Sequence, residues 1–502
     1  MKALLLGILA VLAGASAAQA SEPYEAELDK AVESVMQTWH TPGIAVAIVK
    51  DDKVVLAKGY GVRSLESKEK VDADTVFAIG SCTKAFTSAG IAREVGEKKM
   101  SWDAPAITYL PNLVFSDPYM TANVTTRDLC SMRSGLDRAE ASLAFGNFTR
   151  EQLIERIRYQ EPVIPFRSGF TYVNQMFVAA GEILHSVSHQ SWESYIKNNF
   201  FTPLGMSNSY VSNSEIDKLS NVAQPHHYGD GKTVKVSRAK DVALAPAGAI
   251  CSTANDMARW VSMQLNDGKF EGKQILDAHA LAETHAPQTV VSPDHIEVGH
   301  LPDAHVHFGN YCLGWGVFDY RGKVMVNHTG AIDGMRAQVA MFPEEKLGIV
   351  ILTNCDYGQG MANSSVDLAA ADLLLGLPKR DWSAGFYELQ KTNDEKEKKD
   401  LEDISQARVL NTKPSLPLSS YAGKYTSDLM GDMTVTVNGQ SLVFTPPAVE
   451  SRGVGNHWNY DTFRIKFDDA ISTDSLATFS LNALGKPASL TISDCGTWVR
   501  RD

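Results

Sequence analysis

A chain of 502 residues that is 44% hydrophobic and 21% charged can bury at least one large core, which excludes global disorder and leaves room for two or three domains. Its formal net charge of -12 gives no basic field of the kind that gathers nucleic acid or an anionic membrane surface. The expected partner is a small molecule or a short peptide, with no nucleic acid.

The opening stretch MKALLLGILAVLAGASAAQA has one lysine, an apolar run from Leu4 to Leu12, and small residues Ala18 and Ala20 around Gln19. This is the pattern of a secretory signal peptide over residues 1–20, cleaved after Ala20, and the mature protein is expected to be secreted or periplasmic. A membrane anchor is the rival reading, but the apolar run is short for a span and no later segment reads as one. Leu28, Ala31, Val32, Val35 and Met36 then recur at helical spacing. Gly43 to Lys50 and Lys53 to Gly61 are apolar, β-branched runs joined by Asp51-Asp52, which predicts a hairpin. A third strand is expected over Thr75 to Ile79, leading into a helix that begins at Ser81.

From about Pro105 to Leu281 the pattern is mostly helical, with helices expected at Gln175 to Ser186 and Ala254 to Leu265. Strands return at Lys323 to Gly330, Met335 to Phe342 and Leu347 to Leu352, the last two joined through Pro343-Glu-Glu-Lys346. Strands at both ends with helices between predict an α/β fold: an antiparallel sheet assembled from both ends, flanked by helices, with a helical subdomain. Residues 379–413 shift composition, and Asn393-Asp-Glu-Lys-Glu-Lys-Lys-Asp400 reads as an exposed, charged helical linker. Beyond it, alternation around Asn438-Gly439 gives a hairpin signal, and Phe463 to Phe467, Ala477 to Leu481 and Ser489 to Ile492 add strands, so 414–502 is expected to be a small all-β, barrel-like domain. The expected division is 1–20, 21–378, 379–413 and 414–502.

The residues Ser81-Cys-Thr-Lys84 place a hydroxyl and an amine at i and i+3, on one helix face. A buried lysine can accept the serine proton, and a helix N-terminus favours negative charge developing there. The same spacing occurs at Ser67 and Lys70, Ser194 and Lys197, and Ser237 and Lys240. Only Ser81 follows an apolar strand and Gly80 and opens an apolar-faced helix with Ala85, Phe86, Ala89 and Val95. Six scattered cysteines permit disulfides in an exported chain, but their apolar contexts read as buried thiols without metal-ligand spacing.

Together with these, Phe77-Ala-Ile-Gly-Ser-Cys-Thr-Lys84, Leu129-Cys-Ser-Met-Arg-Ser-Gly-Leu136, Tyr172-Val-Asn174, Pro203-Leu-Gly-Met206, Ser252-Thr-Ala-Asn-Asp-Met257, Gly314-Trp-Gly316 and His328-Thr-Gly330 give ordered motifs from about Tyr24 to Leu375. In them the chain resembles the serine β-lactamase and penicillin-binding-protein family, in its class C and carboxylesterase-like branch. The resemblance implies that Ser81 forms an acyl-enzyme, that Lys84 and Tyr172 share acid and base work, and that Asn174 positions substrate and lysine. It further implies that His328, Thr329, Gly330 and Ala331 line the substrate site, with the backbone N–H groups of Ser81 and Ala331 as the oxyanion hole. The tail resembles the lipocalin-like barrel appended to some peptidase and esterase members, whose expected roles are capping the cleft, homo-oligomer assembly or stability alone.

His328 stands where β-lactamase relatives carry a lysine. A histidine titrating near neutrality replaces a permanent cation for a substrate carboxylate, so esterase or D-amino-acid-type peptidase action is expected over β-lactam hydrolysis. The alternatives are β-lactamase or penicillin-binding activity, or a non-catalytic binding homologue. A Ser-His-Asp hydrolase would require a G-x-S-x-G elbow, which Gly80-Ser81-Cys82 lacks. His285, His295, His300, His305 and His307 read as a polar loop near the cleft mouth, and His226-His227 as equally ordinary; no metal and no cofactor are expected.

Overall fold

The computed structural model describes residues 23–238, 243–448, 452–468, 471 and 473–501. The expected signal peptide, residues 1–20, lies outside them, as does Lys240. An eight-stranded antiparallel sheet runs in the order Lys53–Gly61, Gly43–Lys50, Leu347–Thr353, Met335–Phe342, Lys323–Ile332, Gly316–Tyr320, Gly309–Tyr311 and Thr289–Val290. The N-terminal hairpin and the later meander meet where Ile44 pairs with Thr353 and Lys50 with Leu347. Gly43–Lys50 and Leu347–Thr353 are apolar on both faces, which suits central strands, and all but Lys50 are buried. Each buried Ile, Leu or Val contributes about 1.5–3 kcal/mol. Lys53–Gly61 alternates in exposure and takes the edge. The turn between them has Asp51 at φ 49° and Asp52 at φ 63°, left-handed backbone that aspartate tolerates and that matches hairpin twist.

One face of the sheet is covered by Pro23–Thr38 and Met361–Leu374, burying Leu28, Val32, Val35 and Val366 with Ile44, Ile48 and Ile351. The other carries Ala254–Leu265, with Thr83–Gly96 and Asn174–Ser188 in the same core. Thr83–Gly96 is buried on nearly every side, so it is a central helix rather than an amphipathic one.

Two local expectations are corrected. The strand foreseen over Thr75 to Ile79 is only Phe77–Ala78, paired with Cys251–Ser252 apart from the main sheet. Thr75 is drawn into a side-chain cluster with Asp72 and Asn221 at 3.0 and 2.8 Å, and Gly80, at φ 50°, turns the chain away. Gly80–Cys82 is then a 3₁₀ turn and the α-helix begins at Thr83, so Ser81 precedes that helix instead of opening it.

Helix Trp382–Gln406 spans the charged segment. Its first turns pack through buried Trp382 and Phe386, and Trp382 donates to Asp372 Oδ2 at 2.9 Å, whereas the charge run is exposed. The eight strands that follow this helix form a closed barrel from Gly423–Ser427 to Gly496–Arg501, sealed by Lys424 opposite Arg501 and Thr426 opposite Val499. Gly423–Ser427, Gly453–Asn459 and Gly496–Arg501, which complete it, were not foreseen. Their alternation runs through glycine and charged residues and carries little apolar signal. Tyr421, Tyr425, Phe444, Phe463, Phe479 and Trp498 form its buried aromatic core.

Candidate active site

The lysine foreseen at i+3 is fully buried, and its Nζ meets Ser81 Oγ, Asn174 Oδ1 and the Ala247 carbonyl, each at 2.8 Å. An ammonium donates all three protons this way. A neutral amine keeps two for the fixed acceptors Asn174 and Ala247 and turns its lone pair toward the serine hydroxyl. Asn174 lies at the start of helix Asn174–Ser188, directly after the extended Val173. Ala247 comes from the short helix Ala245–Gly248; a backbone carbonyl leaves no side-chain signal in sequence, and it was not foreseen.

Tyr172 presents its ring to the same amine, with Lys84 Nζ 4.9 Å from the ring centroid. Its loop is clamped to the Leu129-to-Leu136 motif. Thr171 N–H donates to Met132 O at 2.9 Å, and Thr171 Oγ1 accepts from Gly135 N–H at 3.0 Å. That motif is held in turn by Asp128, whose side chain is wholly buried and accepts from Arg133 Nε at 2.5 Å and Arg167 Nε at 2.9 Å. Burial pushes the Asp128 carboxyl pKa up, but the hydrogen bond from Arg167, the Thr125 N–H and the Arg133 charge bring it below the usual carboxylate value. Sequence reading passed over Asp128 because its value lies in partners nearby only in the fold.

His328-Thr-Gly330 lies on Lys323–Ile332. The neighbouring strand Gly316–Tyr320 stops where Gly316 pairs with Asn327, so residues 328–332 turn an uncovered strand edge toward the Gly80–Cys82 turn. A Cβ at Gly330 would lie 1.9 Å from Ile79 O and 3.3 Å from Ser81 N, and one at Gly80 would lie 2.7 Å from Ala331 N. Only glycine permits this approach, and it brings the Ser81 and Ala331 amides into neighbouring backbone segments. Thr329 and Ala331 are exposed along the same edge.

His328 departs from its expected titration. Burial, and then the Lys84 charge, push its pKa down to about 3. Its Nδ1 is 2.6 Å from Thr329 O, so Nδ1–H donates and Nε2 accepts from the Tyr311 hydroxyl at 3.0 Å. This imidazole is neutral throughout the working range and is a fixed hydrogen-bonding element, not a pH-dependent cation. Tyr311, unforeseen, is itself buried and its pKa is raised well above the ordinary tyrosine value by that burial. Burial likewise pushes the Cys82 thiol up to about 12, so the thiol beside Ser81 is not a ready thiolate.

The histidine-rich stretch is not one polar loop. His285 ends helix Ala278–His285, packs edge-on to Trp315 and meets Gln264 at 2.9 Å, and burial pushes its pKa down to about 4. His307 pairs with Asp319 at 2.5 Å, and His227 with Asp356 at 2.8 Å. Among the described residues no group of three His, Cys, Asp or Glu side chains is placed to hold a metal ion. The six cysteines are all thiols, five of them buried.

The chain matches the Beta-lactamase family over residues 28–372 and, separately, a family described as Domain of unknown function (DUF3471) over residues 407–499. Unguisins hydrolase ungD of Aspergillus violaceofuscus (strain CBS 115571) is 26% identical over 447 residues, which are 83% of this chain and 77% of that protein. Protein flp of Staphylococcus aureus (strain N315) is 24% identical over 332 residues, 65% of this chain and 62% of that one. Two solved structures share the fold. The octameric penicillin-binding protein homologue from Pyrococcus abyssi superposes with a TM-score of 0.63 at 22% identity, covering 95% of this chain and 100% of that one. SurE, crystallised with D-Leu, gives 0.54 at 17%, with the same coverage.

Proposed function

This chain belongs to the Beta-lactamase family of serine hydrolases, and from that premise we propose that it hydrolyses small esters, peptides or amides through an acyl-enzyme on Ser81. The observation that carries the proposal is the buried Lys84 amine, fixed by Asn174 and Ala247 with its third direction on Ser81 Oγ. Lys84, with Tyr172 against it, takes the serine proton as Oγ attacks the carbonyl carbon. The N–H groups of Ser81 and Ala331 hold the resulting oxyanion. Tyr172 hands a proton to the departing alcohol or amine, leaving the acyl-enzyme. Water, deprotonated by the same pair, then releases the acid and restores Ser81.

Esterase or D-amino-acid-type peptidase action is preferred to β-lactam hydrolysis because His328 is neutral and bonded to Tyr311 and Thr329, offering no cation to a substrate carboxylate. The name of the ungD relative supports hydrolysis, and the D-Leu in the SurE crystal supports a D-amino-acid substrate. The proposal places the chain in the class C and carboxylesterase-like branch, and takes the closed eight-stranded barrel as lipocalin-like. Export through residues 1–20 and homo-oligomer assembly through the barrel belong to the same reading; among the described residues no helix is long and apolar enough to cross a membrane.

A fluorophosphonate probe tests the chemistry. Native protein is expected to be labelled on Ser81, with Ser81→Ala unlabelled, and a native protein that takes no label contradicts the proposal. A panel of D-peptides, short esters, amides and β-lactams then ranks the substrate classes.

A further inference from the structure

The strand edge that faces Ser81 runs into a tight turn, and that turn is fixed from several sides. Ala331 stands opposite Arg336 and Ile332 opposite Met335, so Asp333-Gly334, a preferred pair for such turns, closes the hairpin. Gly334 has φ 69°, and a Cβ there would lie 2.6 Å from Pro225 Cβ and 2.7 Å from His226 N. The tip is thus seated against the separate hairpin of His226–Gly229 and Lys232–Lys235.

Hydrogen bonds hold it there. Arg336 Nη1 donates to the Ile332 carbonyl at 3.0 Å and to the Met335 carbonyl at 2.8 Å, one on each strand. Asp356 Oδ2 accepts from the Gly334 N–H at 3.2 Å, while its Oδ1 meets His227 Nδ1 at 2.8 Å. The His226 N–H donates to the Gly334 carbonyl at 3.1 Å, and the Asp356 N–H donates to the His226 carbonyl at 3.2 Å. Asp356 is 7% exposed, and Arg336 Nε is buried without a hydrogen-bond partner among the described residues. Withdrawing charged groups from water in this way is costly, and here the bonds gained in return go to the backbone of one turn.

In the acyl-enzyme reading, on which this inference rests, the Ala331 N–H is half of the oxyanion hole. The neighbouring strand Gly316–Tyr320 ends opposite Asn327, so beyond that point the strand carrying Ala331 is paired only with Met335–Phe342. Its alignment on the Ser81 turn therefore depends on that partner and on the tip. We propose that Arg336 and Asp356 are positioning residues, which fix the Ala331 amide against the Ser81 turn by clamping the Asp333-Gly334 turn beyond it. Neither touches the substrate; both act on the step in which the oxyanion forms.

The test compares p-nitrophenyl acetate with its thiono analogue, in which sulfur replaces the carbonyl oxygen and accepts hydrogen bonds poorly. The native full-length protein is expected to favour the oxygen ester, because its amides are aligned on an oxyanion. Arg336→Met and Asp356→Ala are expected to lower kcat on the oxygen ester by about tenfold with KM little changed, and to lower the oxygen-to-sulfur ratio by a similar factor. Asp356→Asn, which keeps an acceptor for the Gly334 N–H, is expected to restore most of the ratio, and Arg336→Lys, which keeps a donor, part of it. Val366→Ala, which opens a cavity in the core against the same sheet, is expected to lower Tm and leave the ratio unchanged. No preference for oxygen in the native protein overturns the proposal, and so does a ratio that falls equally in Val366→Ala. A native ratio in folded Arg336→Met or Asp356→Ala overturns the assignment to that residue. Should either fail to fold, Arg336→Lys or Asp356→Ser takes its place, and a fully native ratio there has the same force. Mapping the acyl mass separates the two readings: native protein without an adduct on Ser81 refutes the acyl-enzyme, whereas an adduct with unchanged ratios refutes only the role of Arg336 and Asp356.

Discussion

The cleft and the barrel are built by opposite means. Around Ser81 the chain brings backbone against backbone at Gly80 and Gly330 and buries a lysine whose three bonds go to its own turn and to two distant segments. The barrel instead closes one run of consecutive strands around apolar and aromatic side chains such as Tyr425, Phe479 and Trp498. The cleft gains chemistry by spending packing freedom, so small changes there are costly. The barrel is held by distributed contacts, and a change at one of its turns leaves the others in place.

The sharpest way to break this contrast is Lys84→Met. It removes the amine from Ser81 and leaves Asn174 Oδ1 and the Ala247 carbonyl without that donor in a buried site. Fluorophosphonate labelling is expected to slow by about 10,000-fold, the scale of losing one member of a catalytic unit. Each stranded acceptor costs about 1–3 kcal/mol, which thermal unfolding reads as a lowered Tm.

A paired glycine substitution sharpens the comparison. Gly330→Ala puts a methyl 1.9 Å from the Ile79 carbonyl and must displace either the strand or the Ser81 turn. A shift of that size is expected to cost about 100-fold in kcat/KM. Gly439→Ala, in the barrel turn at φ 60° with nothing within 4 Å of the added atom, pays only for its backbone conformation. Chemical denaturation is expected to show a loss of about 1–2 kcal/mol and assays no change in activity.

The smallest effect concerns His328. Folding lowers its pKa from 6.5 to about 3, so between those values the unfolded chain holds a proton that the folded one does not. Its contribution to stability is therefore complete above pH 6.5 and is lost as pH falls toward 3. Urea unfolding at pH 7 and pH 5 is expected to show native protein losing more stability than His328→Asn over that interval. Equal losses would mean that His328 is not held neutral by the fold.

The same contrast explains what could be read in the sequence. The central strands and the Asp51-Asp52 hairpin were legible because alternation and apolar runs record burial directly. Ser81, Lys84, Tyr172, Asn174 and the His328-to-Ala331 edge were legible as motifs, and the structure brings Ser81, Lys84, Tyr172 and Asn174 around one amine, with that strand edge against the Ser81 turn. The Ala247 carbonyl, the Tyr311 bond to His328 and the Asp128 clamp were not, since each depends on segments distant in sequence meeting in space. The expected near-neutral titration of His328 failed for the same reason, because its pKa is set by burial and by Lys84. The barrel-like tail was legible, but individual strands of it were missed where they spell their alternation with glycine and arginine, as in Gly496–Arg501.

The central claim is that Ser81 carries the acyl group. Mixing the protein with a p-nitrophenyl ester under rapid quench is expected to release a burst of one p-nitrophenol per chain, with the acyl mass mapping to the peptide that contains Ser81. A linear release with no adduct, or an adduct on another residue, would contradict the account.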